Sequence, residues 1–565
     1  MANTASTKSS SKKAKKQQAA VEQKTAPPPA PAPSTEISQR VCLISLIAIM
    51  LIAAVLRLYD LNLVPLHHDE GVNGNFLVRL VRDGEYKYDP ENYHGPTLYY
   101  FAAFIPWITR LLFGVAARDH YGLTTFTIRL IPALFGLGTI GIIFLLRRRL
   151  GTIATLAAAL LLAVSPGAVY LSRYFIHETQ FAFFTLGIVV FGIRFYDDRQ
   201  PLWLMLASSS AALLFATKET AMISVAVLLI AFGLTHIYRR LFRKAIAQPQ
   251  PASKSRKPAG PPENAWRKFI NEFGTANLLL SAAIAIVIFL FLNVVFYTSF
   301  FKNSQGVYDA LKTFDIWRKT GQTAHVHPPF TYVQWLFRQE GPLLVLGAIG
   351  AALVVVRPKN SLAVFAALWS FGLIAAYSLI PYKTPWLVLN FIPPLALIAG
   401  YVVQAIYQLE RGQIRMVAMV VFIAVAVSGY QTIDLNFVNY DNDSPYYVYV
   451  YAHTRRGTLE LVRNIEQIAA DGQKDQTGIT IVSPDYWPLP WYLRDYRRTA
   501  YFGQMAASTE QLIIANETQK EQMEQNFGAV YRMVPSKDAS GSFELRPGVR
   551  LLLYTRRTPA LSTGN

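Results

Sequence analysis

The chain has 565 residues, of which 52% are hydrophobic and 16% are charged, and its formal net charge is +19. This composition excludes a single water-soluble domain, because the charges are concentrated between apolar runs of about 17 to 23 residues, the length that crosses a bilayer. The basic residues lie mainly in an N-terminal tail and in short loops between the runs, as the positive-inside rule predicts, and they do not indicate nucleic-acid binding. The sequence therefore predicts a polytopic α-helical membrane protein.

The N-terminal segment, residues 1–38, is polar and rich in Lys, Ala and Pro. It lacks the apolar residues that offset the entropy of ordering, so we predict a disordered cytoplasmic tail without a cleavable signal peptide. Binding of its lysines to anionic lipid headgroups is an alternative to a purely solubilising role. The first apolar run, Val41–Leu58, then serves as an uncleaved anchor, and the single cysteine, Cys42, excludes an internal disulfide.

The segment His67–Gly71 follows the first run and holds two adjacent carboxylates, Asp69 and Glu70, beside two imidazoles. Ionisable groups at the mouth of a membrane helix are costly and usually mark a functional site. With the N-terminus inside, the basic loop Arg147–Arg149 is cytoplasmic and the acid pair lies on the outer face. An odd number of crossings must therefore separate them, and there are two candidate runs, Gly95–Phe113 and Thr125–Leu146. The prolines, aromatic residues and Arg110 of Gly95–Phe113 favour an interfacial helix along the outer surface for that run.

Ten further spans are predicted, which makes eleven with the first. They lie near residues 125–146, 151–171, 180–196, 201–216, 220–237, 274–296, 341–357, 361–380, 386–405 and 415–433. The simple basic loops then fall inside, and every loop dense in candidate functional residues falls outside. We therefore predict a transmembrane domain over residues 39–433, with a catalytic first outer loop over residues 60–124.

The composition changes after the last span, and short strand-like runs alternate with helix-like segments. The runs are Ile479–Val482, Leu512–Ala515 and Val549–Tyr554, with a helix-like segment at Leu459–Ala470. This pattern predicts a small extracytoplasmic α/β domain over residues 434–565. Its aromatic stretch Tyr486–Tyr492 is either a sugar-stacking platform or a surface that packs on the membrane domain, and we favour packing.

The acid pair suggests acid–base chemistry. A carboxylate within hydrogen-bond reach of an acceptor hydroxyl can act as a general base, and Asp69 is the candidate. An anionic leaving group such as a lipid-linked phosphate needs cations, and three lie in predicted outer loops, namely Arg173, Lys218 and Lys383. Each of them alone is explained equally well as an interfacial cation whose head reaches water.

The run from His68 through His94–Tyr100 resembles the first outer loop of GT-C glycosyltransferases, in particular the protein O-mannosyltransferases and the aminoarabinose transferases that act on lipid A. The similarity continues through Ser172–Glu178, Thr217–Thr220 and Pro381–Trp386. In these motifs the chain resembles an archaeal and bacterial branch named for its association with polyprenyl-phosphate flippase activity.

This resemblance implies a GT-C-like fold and an inner-membrane enzyme that moves a sugar from a polyprenyl-phosphate donor to an acceptor hydroxyl outside the cytoplasmic membrane, with inversion. It implies that Asp69 is the base and that Glu70 orients it or contacts substrate. The substrate-binding candidates are His68, Tyr93, His94, Arg173, Glu178, Lys218 and Lys383. The aminoarabinose transferases have a Lys where this chain has His94, which leaves the donor identity open.

Suitable metal-ligand types occur on neighbouring outer loops, at His67, His68, Asp69, His177 and Glu178. Their spacing does not decide the question, and we predict no obligatory metal or other cofactor, with a divalent cation as the alternative. A second histidine pair, His325 and His327, is interpreted as acceptor contacts or solvated turn residues.

Three function classes remain from the sequence. The first is the transferase, with a lipid, protein or glycan acceptor. The second is a non-catalytic component of lipid-linked sugar translocation, in which no bond is cleaved. The third is a structural partner whose outer domain recruits other envelope proteins.

Overall fold

The structure is a computed structural model that describes residues 37–92, 94–114, 122–242, 265–320, 325–409 and 414–557. The predictions for the tail up to residue 36, for Tyr93 and for the centre of the basic segment 239–268 lie outside these residues. Residues Met1–Leu43 and Ile44–Asn565 form separate units, and every site residue discussed below belongs to the second.

The apolar runs form helices, because a helix satisfies its backbone hydrogen bonds internally, as a lipid environment requires. Within the described part of the chain, seven helices are long and apolar enough to cross a membrane: Gln39–Leu58, Thr125–Leu150, Glu178–Asp198, Ala221–Leu241, Thr275–Tyr297, Ser361–Leu379 and Ile414–Val438. Two bent helix pairs raise this number to nine if each pair is one span. The chain is therefore a multi-pass membrane protein.

The bent pairs are Thr152–Ala163 with Pro166–Ser172, at 61°, and Thr331–Gln339 with Gly341–Val356, at 115°. Two shorter apolar helices are Pro201–Phe215 and Ile392–Leu409. A helix thus occupies each of the eleven predicted segments, while the number of eleven crossings stays a prediction.

The span Thr125–Leu150 comprises the helix Thr125–Ile143, a 3-10 turn and the short helix Arg147–Leu150. The remaining α-helices before the C-terminal domain are His68–Arg82, Thr97–Phe113, Ala265–Phe273 and Gly306–Thr320. The helix Thr97–Phe113 exposes several large apolar side chains, including Phe104 and Leu111. Such an apolar face suits the predicted position along the membrane surface.

The two bent pairs meet at their breaks. The carboxylate of Glu340, which lies between Gln339 and Gly341, accepts hydrogen bonds from the Ser165 hydroxyl (2.9 Å) and the Gly167 amide (2.7 Å). The Ser165 side chain also accepts from the Ala168 amide and so caps the short helix that begins at Pro166. One buried acid therefore satisfies backbone and side-chain donors that the breaks would otherwise leave unpaired.

The C-terminal part folds as a small α/β domain, as the sequence predicted. Its helices are Gly457–Asp471, Leu489–Tyr492 and Lys520–Phe527, and its strands are β1 (Ile479–Ile481), β2 (Thr499–Tyr501), β3 (Leu512–Asn516), β4 (Tyr531–Val534), β5 (Phe543–Arg546) and β6 (Val549–Arg556). The sheet order is β2-β1-β3-β6-β4, and β5 also pairs with β6. The pairs of β1 with β2 and β3 are parallel, and the three pairs of β6 are antiparallel.

The C-terminal domain packs against the helix His68–Arg82, which we call the Asp69 helix. Two of its glycines allow this approach, because a Cβ on Gly71 would lie 2.6 Å from Pro488 Cβ and one on Gly74 would lie 2.6 Å from Trp491 Cε3. The Tyr492 hydroxyl accepts a hydrogen bond from the Leu66 amide at 2.8 Å. Pro488, Trp491 and Tyr492 therefore pack on the membrane domain, which confirms the packing that we favoured for this part of the stretch Tyr486–Tyr492.

Candidate active site

The Asp69 helix begins with a capping box that fixes the acid pair. The His67 ring Nδ1 accepts a hydrogen bond from the Asp69 amide at 3.1 Å, and the Glu70 carboxylate accepts one from the His67 amide at 3.0 Å. The other ring nitrogen of His67 lies 3.0 Å from the Tyr451 carbonyl oxygen and must donate to it. His67 is therefore a neutral cap, and Asp69 lies in the first helical turn, where the helix dipole stabilises a carboxylate.

Glu70 is completely buried and binds protein groups with both oxygens. It accepts from Arg129 Nε (2.7 Å) and Nη2 (2.6 Å) and from the Phe175 amide (2.8 Å). Arg129 also donates to the carbonyls of Leu61 and Val64, both at 2.8 Å. This bidentate pair holds the segment after the first helix against the helix Thr125–Ile143. Glu70 thus has a positioning role, and the predicted contact of Glu70 with substrate does not fit its burial.

Asp69 has the opposite environment, because its side chain is 39% exposed and lines a cavity of about 470 Å³. The cavity combines polar groups with an aromatic wall. Its lining comprises His67, His68, Asp69, Val72, Asn73, His94, Ile176, Glu178, Lys218, Glu219, Thr220, His325, Tyr377, Ile380, Tyr382, Trp386, Leu387, Tyr451, Ala452 and Arg546. Five predicted site residues are thereby brought together, namely His68, Asp69, His94, Glu178 and Lys218.

An ion pair and a histidine–carboxylate contact line the cavity with Asp69. The buried Lys218 amine forms an ion pair with Glu178, and the His94 ring lies 3.1 Å from Glu219. Burial acts to lower the pKa of Lys218. The carboxylates of Glu178 and Glu219 act in the opposite direction and outweigh burial, so the pKa of Lys218 is raised. Burial raises the pKa of Glu219, but His94 and Lys218 outweigh that effect and lower it. Lys218 is therefore charged and Glu219 ionised at neutral pH.

Asp69 differs from these acids. Among the described residues no lysine or arginine pairs with it, and its nearest basic group is the neutral His67 ring at 3.9 Å. Burial lowers the pKa of the neighbouring His68, and the Asp69 carboxylate opposes that shift without cancelling it. Asp69 is thus an accessible carboxylate beside a neutral imidazole, an arrangement that can take a proton from a hydroxyl group in the cavity.

Two loops contribute side chains to the aromatic wall of the cavity, one with His325 and the other with Tyr382 and Trp386. Backbone bonds join these loops, from the His327 amide to the Pro381 carbonyl (3.1 Å) and from the Lys383 amide to the His325 carbonyl (3.0 Å). His325 Nδ1 also lies 2.9 Å from the Tyr451 hydroxyl. His325 therefore belongs to the cavity wall, whereas the sequence had given it a minor role.

The structure does not bring Arg173 and Lys383 to the cavity, which corrects the expectation that both face the donor. Arg173 donates to the carbonyls of Tyr59 (2.6 Å) and Asp60 (2.8 Å) and lies over the Phe437 ring. The Lys383 amine donates to the Ile380 carbonyl at 2.5 Å. Each cation satisfies carbonyls at the end of a helix, because such carbonyls have no partner within the helix itself.

Sequence reasoning missed two residues that shape the site. Arg129 is a charged residue inside an apolar span. A charge at such a position usually pairs with another group within the protein, and this signal was present in the sequence. Arg546 lines the cavity from the C-terminal domain, where it pairs with Asp485. No local pattern marks Arg546, because its position depends on how that domain packs on the Asp69 helix.

The candidate metal ligands do not converge. Among the described residues, no group of three His, Cys, Asp or Glu side chains could hold a metal ion. His177 instead contacts the Gly95 carbonyl at 3.0 Å and is buried, with a pKa far below its usual value because of burial and the neighbouring His94 and Lys218.

Comparison with known proteins supports the fold. A family model described as dolichyl-phosphate-mannose-protein mannosyltransferase matches residues 102–249. The crystal structure of ArnT from Cupriavidus metallidurans bound to undecaprenyl phosphate is similar, with a TM-score of 0.59 and 14% identity over 91% of this chain and 98% of that chain. The chain therefore shares its overall fold with this ArnT. The apo structure of the same ArnT is similar over the same shares of both chains, with 14% identity and a TM-score of 0.55.

No curated protein sequence matches the chain. The GT-C-like fold predicted from the sequence is confirmed, together with the helical membrane architecture and the C-terminal sheet domain. The narrower flippase-associated branch stays a prediction.

Proposed function

We propose that this protein is an inverting membrane glycosyltransferase of the GT-C superfamily that moves a sugar from a polyprenyl-phosphate donor to an acceptor hydroxyl on the outer face of the cytoplasmic membrane. Asp69 is the general base. It accepts the hydroxyl proton while the acceptor oxygen attacks the anomeric carbon and the lipid phosphate leaves from the opposite side. The N-terminus is cytoplasmic, the C-terminal domain is extracytoplasmic, and no metal is required.

The observation that carries this proposal is the accessibility of Asp69 within a cavity whose other acids are paired. Glu178 is neutralised by Lys218, and Glu219 contacts His94. A base must be reachable by its substrate and ionised before the reaction, and Asp69 meets the first condition where Glu70 does not.

The donor phosphate is assigned to the side of the cavity lined by His94 and Lys218, because the Lys218 ammonium has three N–H donors and its bond to Glu178 uses one of them. Both lie in the lining, and they replace Arg173 and Lys383 in this role. ArnT, the structural relative with undecaprenyl phosphate bound, shows that a chain of this fold accommodates a polyprenyl phosphate. Preorganised cations next to a leaving phosphate stabilise the charge that develops on it.

The test uses the full-length protein in sealed vesicles with a polyprenyl-phosphate donor labelled in the sugar, and native envelope extract as acceptor source. Transfer predicts a new labelled glycoside with inverted anomeric configuration, and the Asp69→Asn variant serves as the matched control that forms none. Movement of the labelled lipid across the bilayer without a new glycoside would instead support the translocation function. A product with retained configuration would rule out direct displacement with Asp69 as base.

A further inference from the structure

A row of aromatic rings extends from the cavity onto the C-terminal domain. It starts at His68, whose ring centroid lies 6.1 Å from that of Trp487. Trp487 is followed by Tyr486 at 5.8 Å and by Tyr501 at 5.2 Å from Tyr486. We call Tyr486, Trp487 and Tyr501 the aromatic ridge. It is continuous with the wall that carries Asp69, because His68 lines the cavity.

The ridge begins at the domain interface, where Trp487 lies beside Gly71 of the Asp69 helix, and continues away from it through Tyr486 to Tyr501. Pro488 and Trp491 contact the Asp69 helix and are buried, whereas Tyr486 and Trp487 are half-buried and Tyr501 is 37% exposed. Tyr501 ends strand β2, which pairs only with β1 and forms one edge of the sheet. Tyr486 packs partly on the core of the C-terminal domain, whereas Tyr501 keeps the outer end of the ridge open to solvent.

An ion pair borders the ridge on the cavity side. Arg546 lines the cavity and pairs with Asp485, the residue before Tyr486. A guanidinium has five donors in a planar fork, so pairing with one carboxylate leaves donors for other ligands. Arg546 and Asp485 together present donors and acceptors side by side, which matches the neighbouring hydroxyl groups of a sugar.

We propose that the aromatic ridge and the Asp485–Arg546 pair form the acceptor subsite, and that its ligand is a saccharide. The C–H face of a sugar ring carries positive partial charge and packs on the negative face of an aromatic ring, while its hydroxyls need paired donors and acceptors. A saccharide stacked along the ridge directs its terminal hydroxyl into the cavity toward Asp69. This inference rests on the proposed function and narrows its acceptor from lipid, protein or glycan to a glycan chain.

The experiment measures saccharide binding in the absence of donor, on the full-length protein in nanodiscs, by calorimetric titration. The probes are mannotetraose, maltotetraose and chitotetraose, and a serine- and threonine-containing hexapeptide is the rival ligand. At least one tetrasaccharide binds the wild type. Tyr501→Ala weakens that binding about tenfold, Tyr501→Phe restores it to within about twofold, and Arg546→Ala weakens it to a similar extent as Tyr501→Ala.

Arg498→Ala is the matched control, because Arg498 forms an exposed ion pair with Glu510 in the same domain at 2.8 Å and does not line the cavity. It leaves saccharide binding unchanged. The inference is overturned if no tetrasaccharide binds, if Tyr501→Ala binds like the wild type, or if the peptide binds in a Tyr501-dependent way. If a tetrasaccharide binds but no polyprenyl-phosphate donor gives sugar transfer, the proposed function is overturned and the saccharide subsite is still supported.

Discussion

Asp69 and Glu70 are adjacent at the start of the Asp69 helix, yet Asp69 lines the cavity and Glu70 is buried in the fold. On one side Asp69 faces the cavity, and its carboxylate pairs with no lysine or arginine of the described chain. On the other side Glu70 is buried against Arg129 with both oxygens bonded. Successive residues on a helix point about 100° apart, so adjacent acids meet different environments. Adjacent carboxylates therefore do not imply a shared role.

The largest expected effect on stability comes from breaking the buried side. Glu70→Gln leaves the Arg129 guanidinium buried without a countercharge, and we expect a loss of about 3–5 kcal/mol in the free energy of unfolding. Denaturant titration in detergent measures this change. Asp69→Asn is the matched control and changes the stability by less than about 0.5 kcal/mol, because an exposed side chain loses little.

Equal destabilisation by Glu70→Gln and Asp69→Asn would contradict the division of roles between the two acids. If Glu70→Gln kept the stability of the wild type but lost turnover, Glu70 would have a catalytic role and not only a positioning role.

A smaller effect comes from the contact between the Asp69 helix and the C-terminal domain. A methyl group on Gly74 meets the Trp491 ring, so Gly74→Ala costs about 1–3 kcal/mol through overpacking. Gly141→Ala is the control, because a Cβ there meets open space within a helix. Thermal unfolding of both variants measures the difference, and a Gly74→Ala protein as stable as the Gly141→Ala protein would show that the interface is loose.

The smallest effect concerns the donor. We expect His94→Asn to raise the donor KM about tenfold, which corresponds to about 1.4 kcal/mol of binding. Lys383→Met leaves the donor KM within about twofold of wild type, because the Lys383 amine bonds to the Ile380 backbone carbonyl and Lys383 is not among the residues that line the cavity. Steady-state kinetics with a polyprenyl-phosphate sugar compares them. A larger effect of Lys383→Met than of His94→Asn would restore the earlier assignment of the phosphate to Lys383.

Much of the fold was predictable because hydrophobic periodicity is local. Each predicted span contains a helix, and the strand-like runs at 479–482, 512–515 and 549–554 became β1, β3 and β6. The bends at Ser165 and Glu340 were not predicted. They depend on a contact between these two residues, which are far apart in the chain.

The site was predictable only where its residues carry a motif. Asp69, His94 and Lys218 lie in distinctive loops, and the structure places all three in one cavity. Arg173 has an equally distinctive setting, yet it caps the end of the first helix. Charge and loop position alone do not distinguish a ligand-binding cation from one that satisfies carbonyls, because both sit at helix ends.

The most direct test of the central claim is a single-turnover measurement of sugar transfer by Asp69→Asn with the donor bound at saturation. Removing a general base predicts a rate constant lower by about 10²–10⁴, with donor affinity and stability close to those of wild type. A rate constant within about threefold of wild type would contradict the assignment of Asp69 as the base and with it the proposed mechanism.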